Sequence, residues 1–111
     1  MDNIVLSKKV SQAILQRKPV LALESSILSQ GMSYPESYEF AKEAENLCHK
    51  AKITPAIIAI LKGIVYVGLS KEQLKFICRD SSIKKVSKRE LGVAIVKRWN
   101  CSTTVSSTLY I

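Results

Sequence analysis

An apolar run that ends in one carboxylate, Pro19-Val20-Leu21-Ala22-Leu23 before Glu24, constrains this chain most. With no polar residue on either side of the pleat, the run reads as a strand buried on both faces. A polar, glycine-containing stretch follows at once: Ser25-Ser26-Ile27-Leu28-Ser29-Gln30-Gly31-Met32. An open α/β sheet holds its ligands at the carboxyl ends of its strands, which is where Glu24 would stand. A half-buried carboxylate there can serve as a proton donor. The plainer role is a cap for the turn that follows, since most acids near strand ends are structural.

The rest of the chain alternates in the same sense. Strands fit Pro19–Leu23, Pro55–Leu61 and Ile64–Val67, with Lys62-Gly63 as a turn between the last two. Ser33-Tyr34-Pro35-Glu36, Ser70-Lys71-Glu72-Gln73 and Ser87-Lys88-Arg89-Glu90 read as capping boxes that open helices. Behind the first, Phe40, Ala41, Ala44, Leu47, Cys48 and Ala51 form one apolar stripe. Leu6, Val10, Ala13 and Ile14 fall at helical spacing, so Met1 to Lys18 reads as a packed first helix rather than a signal peptide. Ser102-Thr103-Thr104 looks like a last helix start, with Val105, Leu109 and Tyr110 beginning its apolar face. The order predicts an α/β fold, a layered mixed sheet with flanking helices.

Bulk properties narrow the class. At 111 residues the chain is one domain's length at most, with 47% apolar residues suited to a folded core. No apolar run approaches the ~20 residues that span a bilayer, so no membrane partner is expected. Cys48, Cys78 and Cys101 are odd in number and widely spaced, which reads as reduced thiols of a cytoplasmic protein. The net charge of +8 concentrates in Lys84, Lys85, Lys88, Arg89, Lys97 and Arg98, a patch that attracts phosphate. Only Trp99 interleaves it, too few aromatics for a stacking platform, so no nucleic acid is expected. His49, the one histidine, has no metal-ligand spacing and reads as structural or solvated.

Several blocks carry a resemblance. Leu23-Glu24-Ser25-Ser26-Ile27 with Ser29-Gln30-Gly31-Met32 and Tyr34-Pro35 is similar to the opening motif of the pseudouridine-5'-phosphate glycosidases. Thr54-Pro55-Ala56-Ile57-Ile58-Ala59-Ile60, Val67-Gly68-Leu69-Ser70-Lys71-Glu72, Lys85-Val86-Ser87-Lys88-Arg89-Glu90-Leu91 and Thr103-Thr104-Val105-Ser106-Ser107-Thr108 follow in the family's order. The resemblance implies that residues 1–111 are the N-terminal part of a single domain of that fold, a truncated N-terminal third. It implies reversible cleavage of the carbon–carbon glycosidic bond of pseudouridine 5'-phosphate, a small-molecule substrate, to uracil and ribose 5-phosphate. The family opens the ribose ring and forms a covalent sugar adduct on a lysine amine, with a divalent metal, usually manganese. Its members form homotrimers.

By that resemblance Glu24 is the catalytic proton donor. Lys85 is a substrate-binding lysine that holds phosphate or an oxyanion. Val105 contacts substrate through its backbone, and Thr103 and Thr104 lie beside it, where helix-start N–H groups can receive an anion. Read from the residues alone, Lys85 is a surface lysine, and Thr103 and Thr104 are caps. The nucleophilic lysine and the metal-binding aspartate would lie beyond Ile111, so the chain alone is expected to be inactive. The alternative is a non-catalytic remnant or interaction partner of a full-length homologue. Gln30 stands where the family has histidine, and Lys62 where it has glycine, so Lys62 is expected to fit poorly if that turn approaches another backbone.

Overall fold

The computed structural model describes residues 3–111; Met1 and Asp2, at the head of the first predicted helix, lie outside the described residues. Its centre is β3 (Thr54–Leu61), whose stretch from Ala56 to Ile60 is wholly buried. β4 (Ile64–Val67) returns antiparallel beside it through the turn Lys62-Gly63. Both turn residues have positive φ, 50° and 76°, the twist that joins two strands by a two-residue loop. A Cβ on Gly63 would stand 2.5 Å from the Ile95 carbonyl oxygen, whereas Lys62 is exposed and donates its N–H to Asn100 Oδ1 at 2.8 Å. The close approach therefore falls on the glycine, and the lysine is accommodated.

Three short strands complete the sheet. β1 (Ile4–Leu6) lies parallel to β4; β6 (Cys101–Thr103) is antiparallel to β3; β5 (Lys84–Val86) is parallel to β6. The order is β1-β4-β3-β6-β5, and β2 (Val20–Leu23) pairs parallel with β3 alone. Helices α2 (Glu36–Lys50) and α3 (Lys71–Arg79) cover one face, packing Ala41, Leu74 and Ile77 on Ile57 and Ala59. On the other face α4 (Leu91–Val96) packs Leu91 and Ala94 on Ile58, Ile60 and Val65. α1 (Lys8–Leu15) buries Val10 and Ala13, and α5 (Val105–Tyr110) follows β6. Each fully buried isoleucine contributes about 2 kcal/mol of apolar burial.

The layered mixed α/β sheet matches the sequence reading, with four corrections. Ile4–Leu6 forms a strand, not helix, because β4 offers it a parallel partner; α1 starts after Ser7, whose hydroxyl accepts the Val10 N–H. β2 is not buried on both faces: Leu21, 45% exposed, and Ala22, also exposed, point to opposite faces of the strand, so neither face is fully covered at its centre. Ser33 does not cap α2; the helix begins at Glu36 after Pro35, and Ser33 instead accepts the Ser37 N–H at its carbonyl, at 2.8 Å. The α2 stripe is only partly used: Ala41 and Cys48 are buried, while Phe40 and Leu47 stay exposed. The boxes at Ser70 and Ser87 form as read, the second opening a short 3-10 turn (Lys88–Glu90) ahead of α4. A third forms at Thr104, the start of α5.

Candidate active site

β2 and β6 run toward each other along β3. β2 occupies Thr54–Ile57 and β6 occupies Ala59 and Ile60. Where their carboxyl ends meet, the ladder of strand amides is interrupted, and hydroxyls fill the gap. Ser25 Oγ donates to the Ile58 carbonyl at 2.6 Å, and Thr103 Oγ1 donates to the same oxygen at 2.9 Å. The Thr103 N–H donates to Ser25 Oγ at 2.9 Å, and the Ser25 N–H to the Thr103 carbonyl at 3.1 Å. Thr108 Oγ1 donates to Thr103 Oγ1 at 2.9 Å, so the start of α5 is tied to the same point. All of these side chains are buried, and each is satisfied, as buried polar groups must be.

The stretch after Glu24 acts as a clasp around this junction. It winds through a π turn (Ile27–Gly31) that buries Leu28. Its polar residues each reach a different part of the fold. Ser26 Oγ donates to Glu24 Oε2 at 2.9 Å, Ser29 Oγ to Ser102 Oγ at 2.7 Å, and Gln30 Nε2 to the Ile83 carbonyl at 3.0 Å. The Gln30 amide, which stands where the family resemblance has histidine, thus makes a hydrogen bond without a titratable ring. On the far side the Val86 carbonyl, at the end of β5, accepts the Thr104 N–H at 3.2 Å and Ser107 Oγ at 2.9 Å. The carboxyl ends of β2, β6 and β5 are thereby stitched together.

Each residue singled out from the sequence has a defined place here. Glu24 is half-buried at the exit of β2, and one of its oxygens is held by Ser26. It borders a cavity of about 230 Å³ whose other walls, Leu23, Leu28, Phe40, Ala44 and Ile57 among them, are apolar. Lys85 is exposed and in register with Ser102, so both project from the face that carries Ser29. Val105 is 61% exposed at the first turn of α5. Among the described residues no internal acceptor takes the Val105 or Ser106 N–H. Thr103 is fully buried with its hydroxyl and N–H engaged, so it shapes the site through the strand end rather than by a side-chain contact. Thr104 is half-buried and caps α5.

His49 stands apart from this junction on α2, exposed. The three cysteines are buried and free; burial pushes the Cys101 thiol up to about 11 and raises that of Cys78, so neither is a ready nucleophile. Among the described residues no group of three or more His, Cys, Asp or Glu could hold a metal ion. The described residues therefore do not by themselves fit a manganese site. Sequence reasoning missed Ser25, Ser29 and Thr108. Only Ser25 carried a local signal, as a hydroxyl just past the exit of an apolar strand; Ser29 lies within the π turn and Thr108 within α5.

Comparison with known proteins gives this geometry a context. The family described as indigoidine synthase A like protein matches residues 9–111. A pseudouridine-5'-phosphate glycosidase of Mycoplasmopsis agalactiae is 40% identical over 109 residues, covering 98% of this chain and 36% of the relative. One from Thermosipho africanus is 45% identical over 106 residues, 96% of this chain and 36% of the relative. One from Escherichia coli is 41% identical over 111 residues, 99% of this chain and 36% of the relative. The chain thus spans about a third of the length of these curated relatives. Among solved structures, the prealnumycin C-glycosynthase AlnA in complex with ribulose 5-phosphate superposes with a TM-score of 0.87 at 30% identity, over 99% of this chain and 35% of that one. An indigoidine synthase A-like protein of Thermotoga maritima superposes with a TM-score of 0.83 at 27% identity, over 97% and 35%. The chain belongs to the indigoidine synthase A like family.

Proposed function

We propose that this chain supplies the proton-donating part of a site that cleaves the carbon–carbon glycosidic bond of pseudouridine 5'-phosphate to uracil and ribose 5-phosphate. The observation that carries this reading is the convergence of three strand ends at one junction. Glu24 leaves β2 there, Lys85 lies on β5 in register with the residue before Thr103, and Val105 opens the helix two residues after Thr103. The relatives named above for that activity support it, as does the sugar phosphate held by the solved neighbour.

The chemistry follows from the leaving group. Carbon leaves poorly, so the base carbon must receive a proton as the bond to the sugar breaks. Ser26 holds Oε2 of Glu24, which leaves Oε1 to carry that proton. The Lys85 ammonium, without a carboxylate partner among the described residues, holds the phosphate, and the first-turn N–H groups of α5 hold an anionic oxygen. Thr103 and Thr104 keep that turn in place. The sugar side needs an electron sink, assigned by the resemblance to a lysine beyond Ile111, together with manganese and assembly as a trimer in the cytoplasm. No helix of the described residues is long and apolar enough to cross a membrane.

The test replaces the matching segment of a full-length relative by these 111 residues and follows uracil release. Glu24→Gln is expected to lower kcat by about 10³-fold; an unchanged rate overturns the reading. The 111 residues alone are expected to show no turnover, and uracil release that vanishes with Glu24→Gln would sink that expectation. A second reading, an interaction partner of a full-length homologue, is favoured by the exposed Leu21, Phe40 and Leu47. Co-purification with the homologue supports it, and a clean separation counts against it.

A further inference from the structure

We propose that Ser25 is a positioning residue for this site: its buried hydroxyl sets how β2 and β6 meet and thereby holds Glu24 against the Thr103–Val105 segment. The inference rests on the proposed role of Glu24 and extends it to a residue that does not itself touch substrate.

Geometry at the junction is the starting point. Two strands that approach end to end along one edge cannot both continue the amide ladder, so something must replace the missing donors and acceptors. Ser25 Oγ does both jobs. It donates to the Ile58 carbonyl on β3 and accepts the Thr103 N–H on β6, while Ser25 itself stands two residues past the end of β2. One oxygen therefore ties the end of β2 to two later strands, 33 and 78 residues further along the chain. Its backbone adds a bond from the Ser25 N–H to the Thr103 carbonyl. Glu24 is the next residue on one side of this bracket and Val105 lies two residues beyond the other side. The Ile58 carbonyl keeps a second donor in Thr103 Oγ1, but among the described residues nothing else stands in for Ser25 as acceptor of the Thr103 N–H. Removing the hydroxyl leaves that buried amide unpaired and lets the two strand ends move relative to each other.

The experiment has two arms. In the 111-residue chain, amide resonances and hydrogen exchange are followed by NMR. Ser25→Ala is expected to shift the Glu24 and Val105 resonances and to speed Thr103 exchange by about tenfold, whereas Ser25→Thr restores both. Unmoved Glu24 and Val105 resonances overturn the inference. In the grafted full-length enzyme described above, Ser25→Ala is expected to lower kcat by about 10²-fold with KM within about threefold, and Ser25→Thr to recover most of it. A kcat that survives Ser25→Ala while Glu24→Gln abolishes activity overturns the positioning role alone. Activity that survives Glu24→Gln overturns the underlying reading instead. Should Ser25→Ala fail to fold, Ser25→Cys replaces it in both arms, since a thiol is a weak donor and acceptor; unchanged resonances and kcat there overturn the proposal.

Discussion

The apolar layers and the hydroxyl seam hold the same sheet together by different physics. On either side of β3, Ile57, Ile60, Val65, Leu74 and Ile77 pack without a polar atom between them. At the seam, Ser25, Ser102, Thr103, Ser107 and Thr108 are buried to a similar degree and are held by directed bonds. Apolar burial contributes more free energy, but its driving force is non-directional and discriminates less sharply between nearby arrangements. Hydrogen bonds between buried groups contribute less net stability, yet they permit one arrangement and penalise the others. The seam lies where the candidate site needs strand ends fixed in place, and the layers lie where only burial is needed.

That contrast can be broken by substitution. The largest effect is expected in the layers. Ile60→Ala, at a fully buried position on β3, should cost about 4 kcal/mol in urea unfolding. A cost comparable to that of a seam substitution would erase the distinction. Thr103→Val keeps shape but removes a hydroxyl, stranding the Thr108 donor; about 2 kcal/mol is expected, and Thr103→Ser should recover much of it. Gly68→Ala probes a third kind of constraint. Gly68 has φ +94°, and a Cβ there would lie 2.5 Å from Ser7 Oγ, so a loss of about 1–2 kcal/mol in the same titration is expected without effect on the seam.

The smallest effect is expected at the surface. Hydrogen bonds from Ser82 hold the Asp80 carboxyl below its usual range, and bonds from Ser87 do the same for Glu90. A depressed folded pKa means that the charged form is the one stabilised. The contribution is present above the ordinary carboxylate range and is lost as pH falls through the lowered folded values. Thermal melts at neutral and acid pH should show a slight loss of stability on acidification. The Asp80→Asn, Glu90→Gln double variant should lose part of that pH dependence and nothing else.

Much of the frame was readable from patterns of one chain segment. β3 and β4 are apolar runs punctuated by Lys62-Gly63, and α3 announces itself with a capping box and a matching apolar face. What escaped were elements defined by their neighbours. β5 carries two lysines in three residues, and β6 is Cys-Ser-Thr; neither has a strand's local signature, and both exist because β3 and each other offer partners. β1 was hidden because Leu6 also fits the helical spacing of α1. The site followed the same rule. Glu24 stood out as a lone carboxylate after an apolar run, and Lys85 and Val105 were reached through the family resemblance. The partnership of Ser25 with Thr103 spans 78 residues and leaves no periodic trace. Phe40 and Leu47 show the converse: a helical stripe reports what can be buried, not what is.

The splice of two strands onto one edge of β3 also dictates an order of events. The β3–β4 hairpin closes over two residues and can form as soon as both strands exist. The bracket around Glu24 cannot, because its other jaw is residues 101–103. During synthesis the carboxylate therefore emerges early and waits, attached to a strand whose partner edge is half built. A nascent chain released before Cys101 would own the sheet's axis and the acid, and would lack the means to aim one with the other.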